Sequence, residues 1–145
     1  MPALTWSDAL ALQQPEIDDT HREFVDRLAG VEAALGSDAT QLAAALEAFV
    51  QHTEAHFAQE ERWLQEIGFG ADHCHGKEHR QVLELVHEVQ RRLLQQGDVA
   101  VVGALVPALA QWFPVHAQSM DWGLAQAMQA VQAANATKAG NPAEA

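Results

Sequence analysis

Apolar residues recur every three or four positions through four long stretches of the chain, a spacing that predicts four amphipathic α-helices. The first stretch follows Pro15, Asp18 and Asp19. It keeps His21, Phe24, Leu28, Val31 and Leu35 on one face, so a helix is expected from Asp18 to Leu35, stopped by Gly36. The second opens on the capping pattern Asp38-Ala-Thr-Gln41 and carries Leu42, Leu46, Phe49, His56, Glu60, Trp63 and Ile67 until Gly68 and Gly70 end it. The third, capped by Asp72, has His75, His79, Val82, Val86, Val89 and Leu93 inside and ends at Gly97. The fourth, capped by Asp98, presents Leu105, Leu109, Trp112, His116, Met120, Leu124 and Met128, and Pro107 and Pro114 are expected to bend or restart it.

Short connections make consecutive helices antiparallel neighbours, so the fold class predicted is all-α: an antiparallel up-down-up-down four-helix bundle. Strand signals are nearly absent, with no Tyr and few β-branched residues among abundant Ala, Gln, Leu and Glu. Residues 1–17, including Trp6, are expected to form an N-terminal arm on the bundle. Residues 133–145 read as a frayed, disordered tail, which leaves one domain over residues 1–132.

Composition narrows the function. A chain of 145 residues with 48% apolar content is large enough for one real core. Its formal net charge of −12, from 20 acidic against 8 basic residues, leaves no basic patch, which argues against nucleic acid and favours a small neutral ligand over an anionic substrate. The lone Cys74 has no disulfide partner and the start Met1-Pro2-Ala3-Leu4 lacks signal-peptide features, so a cytoplasmic location is expected. The longest apolar stretch, Val99 to Ala110, is interrupted by Gly103 and Pro107. It is shorter than the roughly 20 residues a spanning helix needs, so no membrane segment is expected.

The chemistry lies where the apolar stripes are broken. His21, His56 with Glu60, His75 with His79, and His116 with Asp121 fall on the inner faces of the four predicted helices. Residues four apart on a helix differ by about 40° around the axis, so the middle two pairs each face one point. His116 and Asp121 are five apart, about 140° on a regular helix, and both face inward only with a π-bulge or the kink expected near Pro114. Seven such side chains in an apolar interior would cost several kcal/mol unless a cation organised them, and imidazole with carboxylate suits iron, manganese or zinc. A single tetrahedral zinc uses four ligands, whereas two ions bridged by both carboxylates use all seven. Five histidines then divide three and two. With one further bridging oxygen, the three-histidine ion is saturated and the other keeps one open position.

The runs Ile17-Asp18-Asp19-Thr20-His21, His56-Phe57-Ala58-Gln59-Glu60-Glu61 and His75-Gly76-Lys77-Glu78-His79, with the spacing from His116 to Asp121, together resemble the hemerythrin family in its single-domain bacterial form. The likeness spans about Leu4 to Ala130. It implies a non-haem di-iron centre, carboxylate- and oxo- or hydroxo-bridged, that binds O2 reversibly as carrier, store or sensor rather than as an enzyme. By the same resemblance His75, His79 and His116 hold the saturated iron, His21 and His56 the open one, and Glu60 and Asp121 bridge. The implied partners are O2 and an O2-consuming enzyme or a reductase, and the bundle is expected to be a monomer. With no output domain in the sequence, a carrier or store is expected over a sensor.

Other residues carry weaker signals. His52, one turn before His56, reads as a core-edge histidine, His73 as a loop residue, and Glu84 with His87 as a solvated pair. Trp63, Leu64, Leu28, Phe24 or Trp112 are expected to wall the open iron, with Trp63 slowing autoxidation. The runner-up function is a di-iron oxidase, peroxidase or nitric oxide reductase. A zinc-stabilised or metal-free helical interaction module is the third.

Overall fold

A computed structural model describes residues 2–69 and 73–140, and the described residues form an all-α four-helix bundle. Helix α1 spans Pro15–Ala34, α2 Ala39–Glu66, α3 Cys74–Gln96 and α4 Val99–His116; a π turn over Ala117–Asp121 joins α4 without a break to α5, Trp122–Gly140. Consecutive helices pack on one another and α4 closes back on α1, so the four long segments ring a common interior.

The helix ends follow from their caps, with two departures from expectation. Helix α1 begins three residues early because Pro15 occupies its first turn, where a fixed φ suits the helix and no N–H is missed. Asp18 does not start the helix; its Oδ1 instead accepts from Leu12 N at 2.8 Å and ties down the arm. That arm ends at Gln14. It makes a 3-10 turn at Asp8–Leu10, buries Leu10 and Leu12, and lays the half-buried Trp6 ring under the Arg22 guanidinium at 4.8 Å. Asp38 and Asp98 cap α2 and α4 as expected, accepting from Gln41 N at 2.8 Å and Val101 N at 3.1 Å. At α3 the cap is His73, whose Nδ1 accepts from Gly76 N at 2.8 Å, while the expected cap Asp72 and the stop Gly70 lie outside the described residues. Gly97 closes α3 with φ of 64°, a conformation that favours glycine.

The fourth segment departs most. Pro107 and Pro114 neither break nor restart α4, which runs through both. The helix also continues past residue 132 to Gly140, because Ala-rich sequence holds helix readily even where its side chains are exposed; residues 141–145 lie outside the described residues. By length and composition the continuous run Val99–Thr137 is long and apolar enough to cross a membrane, which exceeds the stretch to Ala110 read from the sequence. Its apolar inner face, with Val102, Leu105, Val106, Leu109 and Phe113, packs into the bundle core.

Two apolar clusters make up that core. The larger contains Phe24, Leu28, Leu46, Phe49, Phe57, Val86, Leu109 and Phe113, and the smaller Leu12, Ile17, Leu64, Leu124, Ala125 and Met128. The inward polar residues lie between them. On α1 His21 sits between Ile17 and Phe24, on α2 Glu60 between Phe57 and Leu64, and on the fourth segment His116 and Asp121 between Phe113 and Leu124.

Candidate metal centre

All seven ligand candidates are buried: His21 and Asp121 completely, Glu60, His56, His79 and His116 nearly so, and His75 with 8% exposure. They fall into two sets that share Glu60. One is Glu60, His75, His79, His116 and Asp121; the other is His21, His56 and Glu60, and within each set the donor atoms lie within 4.8 Å of one another.

The carboxylates divide their oxygens between the sets. Glu60 Oε1 lies 3.4 Å from His75 Nε2 and 3.2 Å from His79 Nε2, while its Oε2 lies 2.7 Å from His56 Nε2 and 3.4 Å from His21 Nε2. Asp121 Oδ1 lies 2.8 Å from His75 Nε2 and 3.1 Å from His116 Nε2, and its Oδ2 lies 3.1 Å from His21 Nε2. Asp121 reaches this place through the π turn, the distortion that the five-residue spacing requires. The wide turn puts Asp121 inside as expected and keeps Leu124 and Met128 buried, while Met120, also expected inside, is only half-buried. Likewise Phe113, not Trp112, is the fully buried ring.

Hydrogen bonding satisfies only part of this cluster: Glu60 Oε2 pairs with His56 Nε2 at 2.7 Å and His21 Nε2 at 3.4 Å. Glu60 Oε1, His75 Nε2, Asp121 Oδ1 and Asp121 Oδ2 are buried and lack an aligned hydrogen bond, although neighbours stand 2.8–3.4 Å away. Buried polar atoms left unpaired in this way are costly, and lone pairs converging without alignment are what ligands of a common cation show. The donor set therefore fits a metal.

Electrostatics point the same way. Burial alone would lift the Glu60 carboxyl, but His56, His21 and His75 hold it well below the ordinary carboxylate range. Asp121 is also far below that range, because His116, His21 and His75 outweigh both its burial and repulsion from Glu60. Burial disfavours charge on His21 and His75, yet the Asp121 and Glu60 carboxylates close beside them carry each up to about 9. His116 is raised against its burial by Asp121 and Glu78, whereas for His79 burial wins and its imidazole is lowered. The raised values of His21, His75 and His116 favour protonated rings beside the two carboxylates, and a cation bound there would take the place of those protons.

A chain with this layer of ligand candidates matches the model of the hemerythrin HHE cation binding domain over residues 14–127. The chain belongs to the hemerythrin family. A bacteriohemerythrin of Ralstonia nicotianae is 41% identical over 121 residues, which covers 83% of this chain and 85% of that protein. Bacteriohemerythrins of Pseudomonas aeruginosa and Stenotrophomonas maltophilia are 28% and 26% identical, over 89% and 90% of this chain and 84% of each relative.

Around the ligands, this hemerythrin-family bundle differs from the expected surroundings. Trp63 and Ile67 are only half-buried and pack on the smaller cluster, while Leu64 takes the inner position. No ring contact joins Trp63 to a ligand histidine among the described residues. Trp112 stacks on His116, in the three-histidine set, with centroids 4.4 Å apart. The rings that meet His21 and His56 are Phe113, edge-on to His21 at 5.0 Å, Phe57, edge-on to His56 at 5.2 Å, and Phe24, edge-on to His56 at 6.0 Å and stacked on Phe113 at 4.5 Å. Trp112 and Phe113 both fit the three-or-four spacing between Leu109 and His116, and packing selects Phe113. His52 is a core-edge histidine as expected: its Nδ1 lies 3.6 Å from Glu23 Oε1, and burial with repulsion from His56 lowers it to about 4. His87 pairs with Glu54 of α2 at 2.7 Å on the exposed surface. His73 is no loop bystander, since it caps α3, a role for which His carries no sequence signal.

Proposed function

We propose that this chain binds O2 reversibly at a pair of iron ions held by the seven side chains. His75, His79 and His116 would ligate one ion, His21 and His56 the other, and Glu60 and Asp121 would bridge them. The observation that carries this reading is the division of both carboxylates, one oxygen toward each histidine set. When bound, the iron pair supplies the two electrons that hold O2 and recovers them on release.

The chain's own contribution is placement and exclusion of water. Three imidazoles complete one side, and two leave the other a ligand short. On that shorter side the fully buried Phe24 and Phe113 rings stand against His56 and His21. A low-dielectric wall makes charge separation costly, which disfavours the escape of charged oxygen species and so favours release of O2 itself.

The test is an absorption spectrum of the reduced protein before air, in air and after degassing, with iron counted per chain. Two irons per chain and a colour that appears with O2 and vanishes on its removal are expected. Steady O2 consumption with a reductant in place of a stable coloured form would instead establish an oxidase or reductase, and zinc without iron would establish a structural site.

A further inference from the structure

An imidazole that binds metal through Nε2 has a second nitrogen, and what Nδ1 touches fixes the ring's orientation and its strength as a donor. The two halves of the centre differ there. His79 Nδ1 lies 3.1 Å from Glu61 Oε1, and His116 Nδ1 lies 2.8 Å from Glu78 Oε1. On the other side His21 Nδ1 and His56 Nδ1 are buried without a hydrogen-bond partner among the described residues.

Both carboxylates are themselves held in place. Glu61 Oε2 lies 3.2 Å from Nε2 of His73, the α3 cap, and the group passes directly over Gly76. A Cβ on residue 76 would stand 3.1 and 3.2 Å from the two Glu61 oxygens and 3.0 Å from the His73 ring, so glycine is what leaves room for the carboxylate. Glu78 accepts from Trp112 Nε1 at 2.8 Å. An aromatic ring also lies flat on each anchored imidazole: Phe57 on His79 at 4.0 Å and 5°, Trp112 on His116 at 4.4 Å and 25°. His21 meets Phe113, and His56 meets Phe57 and Phe24, only at steep angles of 81°, 62° and 80°.

We propose that Glu61 and Glu78 are positioning residues that accept from the Nδ1–H of His79 and His116, so that the three-histidine half grips its metal more tightly than the two-histidine half. A carboxylate at Nδ1 keeps the proton there, leaves the Nε2 lone pair for the metal and makes that lone pair more basic. Gly76, His73 and Trp112 serve this by fixing the carboxylates. The inference rests on the two-metal reading above.

The experiment loads the full-length chain with ferrous iron without air, adds excess chelator and follows iron release. The unmodified chain is expected to lose two equivalents in a fast and a slow phase. Glu61→Gln and Glu78→Gln should each speed the slow phase by about 10–100-fold and leave the fast phase unchanged. Gly76→Ala, which keeps Glu61 but crowds it, should move the same phase in the same direction. Glu54→Gln, at the exposed pair with His87, should move neither. A slow phase unmoved by both glutamine variants, or both phases quickened equally, overturns the proposal. Uptake of a single equivalent defeats the two-metal reading, and the positioning role then stands if the glutamine variants still quicken release of that one ion.

Discussion

Helix α3 and the α4–α5 segment each deliver two ligand candidates to the same buried cluster, and they do so by different means. On α3, His75 and His79 are four residues apart and an unbroken helix turns both inward. On the other segment His116 and Asp121 are five apart, and the π turn Ala117–Asp121 takes up the extra residue. The wide turn has its own local support, since the Ser119 hydroxyl donates to the Val115 carbonyl at 2.6 Å. Spacing, more than residue type, decides where the helix must yield. The same pair of inward residues is obtained at no backbone cost in one helix and through a local distortion in the other.

The comparison is most sharply tested by changing the length of the π turn. One alanine inserted between Gln118 and Ser119 should rotate everything downstream by about 100°. Asp121 would leave the centre and Leu124 and Met128 the smaller cluster, at about 2–5 kcal/mol for each lost apolar side chain. Thermal unfolding and iron content read the result, and an insertion that binds iron normally would show that the length of the π turn does not set the position of Asp121. Deleting the exposed Ser119 should do far less, because Asp121 then follows His116 by four, as in α3.

The next effect in size is expected for Asp121→Ala, which removes the carboxylate that the π turn brings into the cluster. Three imidazoles lose their carboxylate partner, and removing one member of a buried ionic group costs about 3–5 kcal/mol. Denaturant unfolding of the metal-free protein near neutral pH should fall by that much. A loss below about 1 kcal/mol would show that the carboxylate is not buried among charges.

A pH series separates the two α3 histidines. His75, like His21, is raised to about 9, whereas His79 is lowered. A raised imidazole contributes stability that is complete below its unfolded value of 6.5 and is lost as pH climbs through about 9. The metal-free protein should therefore lose on the order of a few kcal/mol between pH 6.5 and 9.5. Metal-loaded protein should lose little over the same range, because the cation has replaced those protons; parallel curves for the two forms would contradict the charge balance. At the acid end the signs reverse. Glu60 and Asp121 stabilise the fold above their ordinary range, and that contribution disappears as pH falls through their depressed values.

The smallest effect is expected at a ring that touches no ligand on either helix. Trp63→Ala should cost less than about 2 kcal/mol, below the loss for a core Trp, and leave the fading rate of the oxygenated colour unchanged. Faster fading would return Trp63 to the wall of the centre.

The helical periodicity by itself determined four helices, most of their inner faces and the seven ligand candidates. Each of those follows from local geometry, whether a three-or-four spacing, a cap or a pair four residues apart. The α3 stripe from His75 to Leu93 is buried position for position. The sequence also carried the demand for a distortion between His116 and Asp121, because 140° cannot be hidden in a regular helix. Only the tertiary structure decided how that demand was met, and that Met120 is left half-buried. It alone showed which oxygen of each carboxylate faces which histidines, that Phe113 rather than Trp63 lies against the shorter side, and that Glu61 and Glu78 stand behind His79 and His116. Those facts are contacts between helices far apart in the chain. They depend on how the helices are rotated and seated against one another, which packing sets and local pattern does not encode.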